Sequence, residues 1–180
     1  MTETPLAPPT DDKDWTWVID EPCPDCGFVA ADLERDEIAA GTRATMAAII
    51  LTLTEPGATQ RRSPHVWSAL EYTCHVRDVC RVFDMRVGRM LDEDNPTFAN
   101  WDQDQTALEE RYWEQDPQTV AREAIGAADV LATRYDGVSG AQWDRPGRRS
   151  NGSLFTVDTI GRYFLHDLAH HLHDIRSSAL

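Results

Sequence analysis

The sequence predicts an all-α fold, a four-helix bundle. Three observations predict it. Four long stretches carry apolar side chains at helical spacing and stop at Pro or Gly signals. No stretch alternates apolar and polar residues over a convincing length, and no internal repeat is visible. One long connection separates the second of these stretches from the third, as in bundles with a crossover. The 180 residues suffice for one domain with a proper core and are few for two.

Residues 1–14 are rich in Pro, Thr and Asp and predict a mobile tail. Trp15, Trp17, Val18 and Ile19 form an apolar patch that would pin this tail to the body. Pro22 and Pro24 forbid a helix over residues 21–27 and predict a turn. The chain thus divides into a tail carrying a Cys-Pro-Asp-Cys turn, 1–31, and a bundle, 32–180.

The first helix is expected over residues 32 to about 53, with Leu33, Ile38, Met46, Ile49, Ile50 and Leu53 on its apolar side. Glu55-Pro56-Gly57 stops it. After a polar loop over 58–64, Ser63-Pro64 opens the second helix with Pro at its first position. That helix covers 65 to about 91, and residues 92–96 end it. Residues 101–104 read as a loop and 106–113 as a short helix. Asp116-Pro117 caps a third long helix reaching about residue 135, ended by Gly137 and Gly140. Residues 145–152 read as a basic, glycine-rich loop, and the last helix covers about 157–176.

Composition narrows the partners. The charged share is 27% and the net charge −14, from 17 basic and 31 acidic residues. A surface this negative repels phosphate backbones and anionic membranes, so neither is expected as a partner. No apolar run approaches the ~20 residues that span a bilayer. The N-terminus lacks a basic region followed by an apolar stretch, so a cytoplasmic protein is expected. There, Cys23, Cys26, Cys74 and Cys80 are thiols or metal ligands rather than disulfides.

Bundles build metal sites from side chains that face inward. On a helical wheel the second helix has an apolar arc of Tyr72, Val76, Val79, Val82, Phe83 and Met90. His75 falls inside that arc; Arg77 and Arg81 fall opposite it. Alone, His75 reads more simply as a buried neutral histidine bonded to a carbonyl. It is not alone, because His166, His170, His171 and His173 crowd the last helix. Two i, i+4 pairs are available there, His166 with His170 and Asp167 with His171. The buried stripe of Val157, Phe164, Leu165, Leu168, Leu172 and Ile175 runs beside His171 and near Asp167. The other three histidines fall on the far side, where a solvated polar face is the simpler explanation. His75, Asp167 and His171 are therefore the expected metal ligands, with His166 and His170 as the alternative pair. Two nitrogens and a carboxylate suit Zn²⁺, Ni²⁺, Fe²⁺ or Mn²⁺, with Zn or Ni foremost. Three ligands leave positions open, as in catalytic sites.

Cys23 and Cys26, followed by Gly27, have the spacing of half a zinc knuckle. They could form a redox dithiol, or a second metal site completed by Cys74 or His65, or a turn whose small cysteines merely pack. The basic residues of 145–149 could meet an anionic substrate, although a solvated loop explains them as well. Asp102, Asp104, Glu109, Glu110 and Glu114 read as an exposed acidic face.

The segment from Trp67 to Val79, WSALEYTCHVRDV, resembles the second helix of the DinB-like (YfiT-like) superfamily. His171-Leu-His-Asp-Ile resembles the end of its last helix. The resemblance runs from about Leu33 to Ile175; the Cys23/Cys26 turn lies outside it. It implies an up-down-down-up bundle with a long connection between helices 2 and 3. It also implies a divalent metal held by one histidine of the second helix, here His75, and by two residues four apart on the last. Those are His-x-x-x-His in most members and Glu-x-x-x-His in the isomerase branch. Matching the ending gives Asp167 and His171; matching the two-histidine form gives His166 and His170. Members include bacillithiol and mycothiol S-transferases and a mycothiol-dependent maleylpyruvate isomerase. The expectation is a metal-dependent transferase or isomerase that uses a low-molecular-weight thiol on a small molecule, with a homodimer as the candidate assembly. The wealth of Ala, Arg and Asp suits a high-GC actinobacterial source, and so mycothiol. A metal-dependent hydrolase and a non-enzymatic metal- or small-molecule-binding stress protein are the alternatives.

Overall fold

The computed structural model describes residues 14–177. The tail expected to be mobile therefore lies outside the described residues, except for Asp14. Four long helices dominate: α1 (Ile38–Thr52), α2 (Ala69–Asp92), α4 (Pro117–Asp136) and α5 (Val157–Ser177), with a short α3 (Gln103–Glu109) in the connection.

Two helix starts differ from the expectation. The residues before α1 form 3₁₀ turns, Ala30–Asp32 and Arg35–Glu37, and the Glu37 carboxylate accepts from the Glu34 backbone N–H. Helix α2 begins not at Pro64 but after Ser68. The Ser68 hydroxyl accepts from the Glu71 N–H at 3.2 Å, and the Glu71 carboxylate accepts from the Ser68 N–H at 2.9 Å. This reciprocal cap, Ser-x-x-Glu, satisfies two otherwise orphaned donors and outcompetes the proline signal upstream. Helix α4 starts as read, with the Asp116 side chain capping Thr119 N–H and Pro117 in the first turn.

The expected basic loop is a hairpin. Strand β2 (Pro146–Arg149) pairs antiparallel with β3 (Leu154–Thr156) and parallel with β1 (Thr97–Phe98) in the long connection. Strands of two to four residues are too short for period-two alternation to register in a sequence. Gly147 lies where a Cβ would come within 2.7 Å of Met90 and Phe98, so only glycine lets this strand close on the bundle.

Helices α1 and α2 each pack against α4 and α5 and hardly touch each other. The main core fills this space with residues such as Ile38, Met46, Val76, Val79, Leu131, Ile160, Phe164 and Leu168. A second cluster of Trp67, Leu70, Cys74, Ala107, Tyr112 and Val120 covers the other side of α2. Helix α2 is consequently buried without a break from Thr73 to Cys80. That overturns the outward placement of Arg77, which is 4% exposed. Its guanidinium donates to Asp78, Gln115 and Glu123. Arg81, by contrast, stays half exposed.

Candidate metal centre

His75 sits at the middle of the most buried stretch of α2 and is fully enclosed. Asp167 and His171 project from successive turns of α5, which packs against α2. The structure brings the three together, with one ligand-type atom from each lying within 4.8 Å of the others. His75 Nε2 is 4.0 Å from Asp167 Oδ2, and His171 Nε2 is 3.7 Å from Asp167 Oδ1. These separations are too long for hydrogen bonds. They lie near the ~3.4 Å edge that ligands about 2.1 Å from a tetrahedral ion would keep. Neither ring nitrogen of His75 has a hydrogen-bond partner among the described residues. A buried imidazole with no such partner costs free energy unless something else binds it. The residues present therefore fit a divalent ion.

Trp101 stacks on the His75 ring at 5.6 Å, and Trp67 and Tyr72 flank the pair of imidazoles. This apolar jacket holds both rings in place. Burial, with help from His171, drives the His75 pKa well below 6.5, so it presents a lone pair near neutral pH. Asp174 supports the site from behind. Its Oδ2 lies 3.4 Å from His171 Nδ1, leaving His171 Nε2 toward Asp167. A carboxylate on the far nitrogen is a recurrent way to fix the tautomer of a ligating histidine. Asp174 was not among the residues singled out by sequence, although its i, i+3 spacing from His171 would have found it.

The group opens onto a cleft of about 400 Å³. Asp167 and His171 form part of its wall, with Trp101, Asp104, Arg149 and Tyr163. Asp102, exposed as read, and Asp104, half-buried, both border this cleft. Arg149, read as part of a basic loop, is half-buried here, and its guanidinium donates to Asn100. The Arg149 guanidinium also lies beside Tyr163, and its charge lies close to the buried Arg86. Burial and the Arg149 charge together push the Arg86 guanidinium down to about 10. Arg86 donates to the Ala99 carbonyl, and Arg149 Nε is buried without a hydrogen-bond partner among the described residues.

His166 and His170 are not on a solvated face. His166 is 3% exposed, and burial pushes its pKa down to about 4, with smaller contributions from His170 and His171. Both rings are covered by Trp15, and His166 also by Phe28. The pair meets Cys23 and Cys26 rather than His75, and again one ligand-type atom from each lies within 4.8 Å of the rest. Cys74 and His65 do not join the cysteines. Cys74 is buried against Tyr112 and Gln115, and His65 is exposed. His173 bonds Ser177 and takes part in neither group.

A family model of the DinB superfamily matches residues 38–175. The chain belongs to the DinB superfamily. The fold agrees: YfiT from Bacillus subtilis superposes with a TM-score of 0.71 and 14% identity, over 81% of this chain and 85% of that one. YfiT is described as a probable metal-dependent hydrolase with an unusual four-helix bundle topology. A comparison with curated proteins by sequence finds no match. Among the described residues, no helix of this DinB-superfamily chain is long and apolar enough to cross a membrane.

Proposed function

We propose that the protein is a divalent-metal enzyme, a transferase or isomerase that uses a low-molecular-weight thiol on a small anionic substrate. One juxtaposition carries the reading: a group of three ligand-type side chains, two of which, Asp167 and His171, line an open polar cleft, with Arg149 also on its wall and Arg86 close to Arg149. A purely structural metal needs no such cleft. A binding module with a decayed site would leave a dry apolar pocket, and this one is lined mainly by polar groups with room for a thiol and a substrate.

In this scheme His75, Asp167 and His171 hold the ion, Zn or Ni being the best match to the donor set. Such an ion, when bound, favours the thiolate of a coordinated thiol or the hydroxide of a coordinated water and polarises a carbonyl. Asp174 orients His171. Arg149 receives the substrate's carboxylate or phosphate, a group that balances two neighbouring guanidinium charges. Tyr163 donates its hydroxyl proton to that same end of the substrate. The hydrolase reading stays as the second, because YfiT carries that description and the cleft has space for water. The packing of α1 and α2 each against α4 and α5, with little contact between α1 and α2, also supports an up-down-down-up course for the helices, and free thiols suit a reducing cytoplasm.

The test is an assay of metal-loaded protein against anionic electrophiles and anionic esters, with and without a low-molecular-weight thiol. Turnover that needs the thiol, is lost in His75→Ala and shows a raised KM in Arg149→Gln supports the transferase reading. Turnover without thiol, with solvent oxygen in the product, establishes the hydrolase. Metal content unchanged by His75→Ala overturns the site itself.

A further inference from the structure

The cysteine turn and the two histidines of α5 make a second constellation, separate from the one beneath the cleft. We infer that Cys23, Cys26, His166 and His170 bind a structural zinc ion that clamps the segment before the bundle onto α5. Three observations support it. The first is the donor set: two thiols and two imidazoles, with one ligand-type atom from each mutually within 4.8 Å. Two thiolates and two imidazoles make the closed tetrahedral set of structural zinc sites. The second is spacing. Cys23 Sγ lies 3.7 Å from His170 Nδ1. Bonds of about 2.3 Å to sulfur and 2.05 Å to nitrogen place those two atoms about 3.6 Å apart in a tetrahedron. The third is an orphan: His166 Nε2 is buried with no hydrogen-bond partner among the described residues, on a side chain that is 97% enclosed.

The backbone supports the same reading. The Gly27 N–H donates to the Cys23 carbonyl and the Cys23 N–H to the Phe28 carbonyl, each at 2.9 Å. The chain reverses tightly enough to aim both sulfurs at α5. Gly27 has φ +76°, a conformation glycine adopts without strain. On α5, His166 and His170 are one turn apart and present both rings to the turn. Trp15, from the same segment, covers both rings against water. Binding releases two thiol protons to solvent and leaves zinc with two thiolates, a site of no net charge that tolerates burial.

The experiment uses the full chain expressed without a histidine tag, with Zn²⁺ and Co²⁺ as probes. Two metal equivalents per chain are expected. One is lost in Cys23→Ser/Cys26→Ser, and the other in His75→Ala. The cobalt form of wild type and of His75→Ala should show thiolate-to-cobalt charge transfer and the strong visible bands of tetrahedral cobalt. As a control that needs no variant, Cys23 and Cys26 should be alkylated at least tenfold faster after chelation. Cobalt spectra without thiolate bands, alkylation indifferent to chelator, or a Cys23–Cys26 disulfide in freshly isolated protein would each overturn the assignment. The site under the cleft is read from the His75→Ala arm and stands or falls separately.

Discussion

Single side chains show how this protein handles buried charge. Asp78 meets Arg77 at 2.9 Å and accepts the Tyr112 hydroxyl at 2.6 Å. Burial raises the Asp78 carboxyl. The hydrogen bonds from Arg77 and Tyr112 and the charges of Arg77 and Arg81 outweigh it and hold the group below its ordinary 3.8. A carboxyl depressed in the fold adds stability above its unfolded pKa and loses it as pH falls through the folded one. Tyr112→Phe should therefore cost about 1–2 kcal/mol near pH 7. The gap to wild type should close at acid pH, where Asp78 is protonated in both. Urea unfolding at several pH values checks this; a gap independent of pH would place the hydroxyl's contribution elsewhere. Arg77 explains why the wheel misplaced this network. A wheel ranks one face against the other, and α2 has apolar cover on both.

At the scale of elements, caps and close contacts decide where the helices lie. Ser68→Ala removes the cap of α2 and should cost about 1 kcal/mol, with Glu71 still held by Arg61. Gly161 is where α5 packs on α1 and receives the Tyr135 side chain from α4: a Cβ there would meet Ile38 Cδ1 at 2.7 Å and the Tyr135 hydroxyl at 2.9 Å. Gly161→Ala should lower stability by about 1–3 kcal/mol despite alanine's better helix propensity, as read from thermal unfolding. A neutral or stabilising result would mean that this crossing has slack. The long helices were legible because their apolar spacing and stop signals act locally. The start of α2 was open to the same reading, since Ser68 and Glu71 have cap spacing, but Pro64 drew the boundary upstream. The sheet was not legible, because β1 and β2 meet only through a contact between segments about fifty residues apart in the chain. The expected triad of His75, Asp167 and His171 came from periodicity plus resemblance. The neighbours of His166 and His170 came from neither, because Trp15, Cys23 and Phe28 reach them from outside the bundle pattern.

In the molecule as a whole, α5 serves both candidate centres from adjacent faces, and Asp174 stands between them. One of its oxygens lies 3.4 Å from His171 Nδ1 and the other 3.8 Å from His170 Nε2, while the opposite nitrogen of His170 faces Cys23. An imidazole that gives Nδ1 to zinc carries its proton on Nε2. On His170 that N–H faces Asp174 at 3.8 Å, beyond hydrogen-bond length, while Asp174 is placed to accept from His171 Nδ1 and leave His171 Nε2 bare toward Asp167. Zinc on Nδ1 of His170 would polarise its N–H toward the carboxylate that orients His171, so the two centres are expected to couple electrostatically through Asp174, and linkage makes the effect mutual. Chelator competition should show the cleft metal bound about tenfold more weakly in Cys23→Ser/Cys26→Ser than in wild type. In an Asp174→Asn background that difference should vanish; if it persists, the two centres communicate by another route. Through one carboxylate, the docking of the N-terminal segment would be felt in the cleft as a change in the field that faces His171.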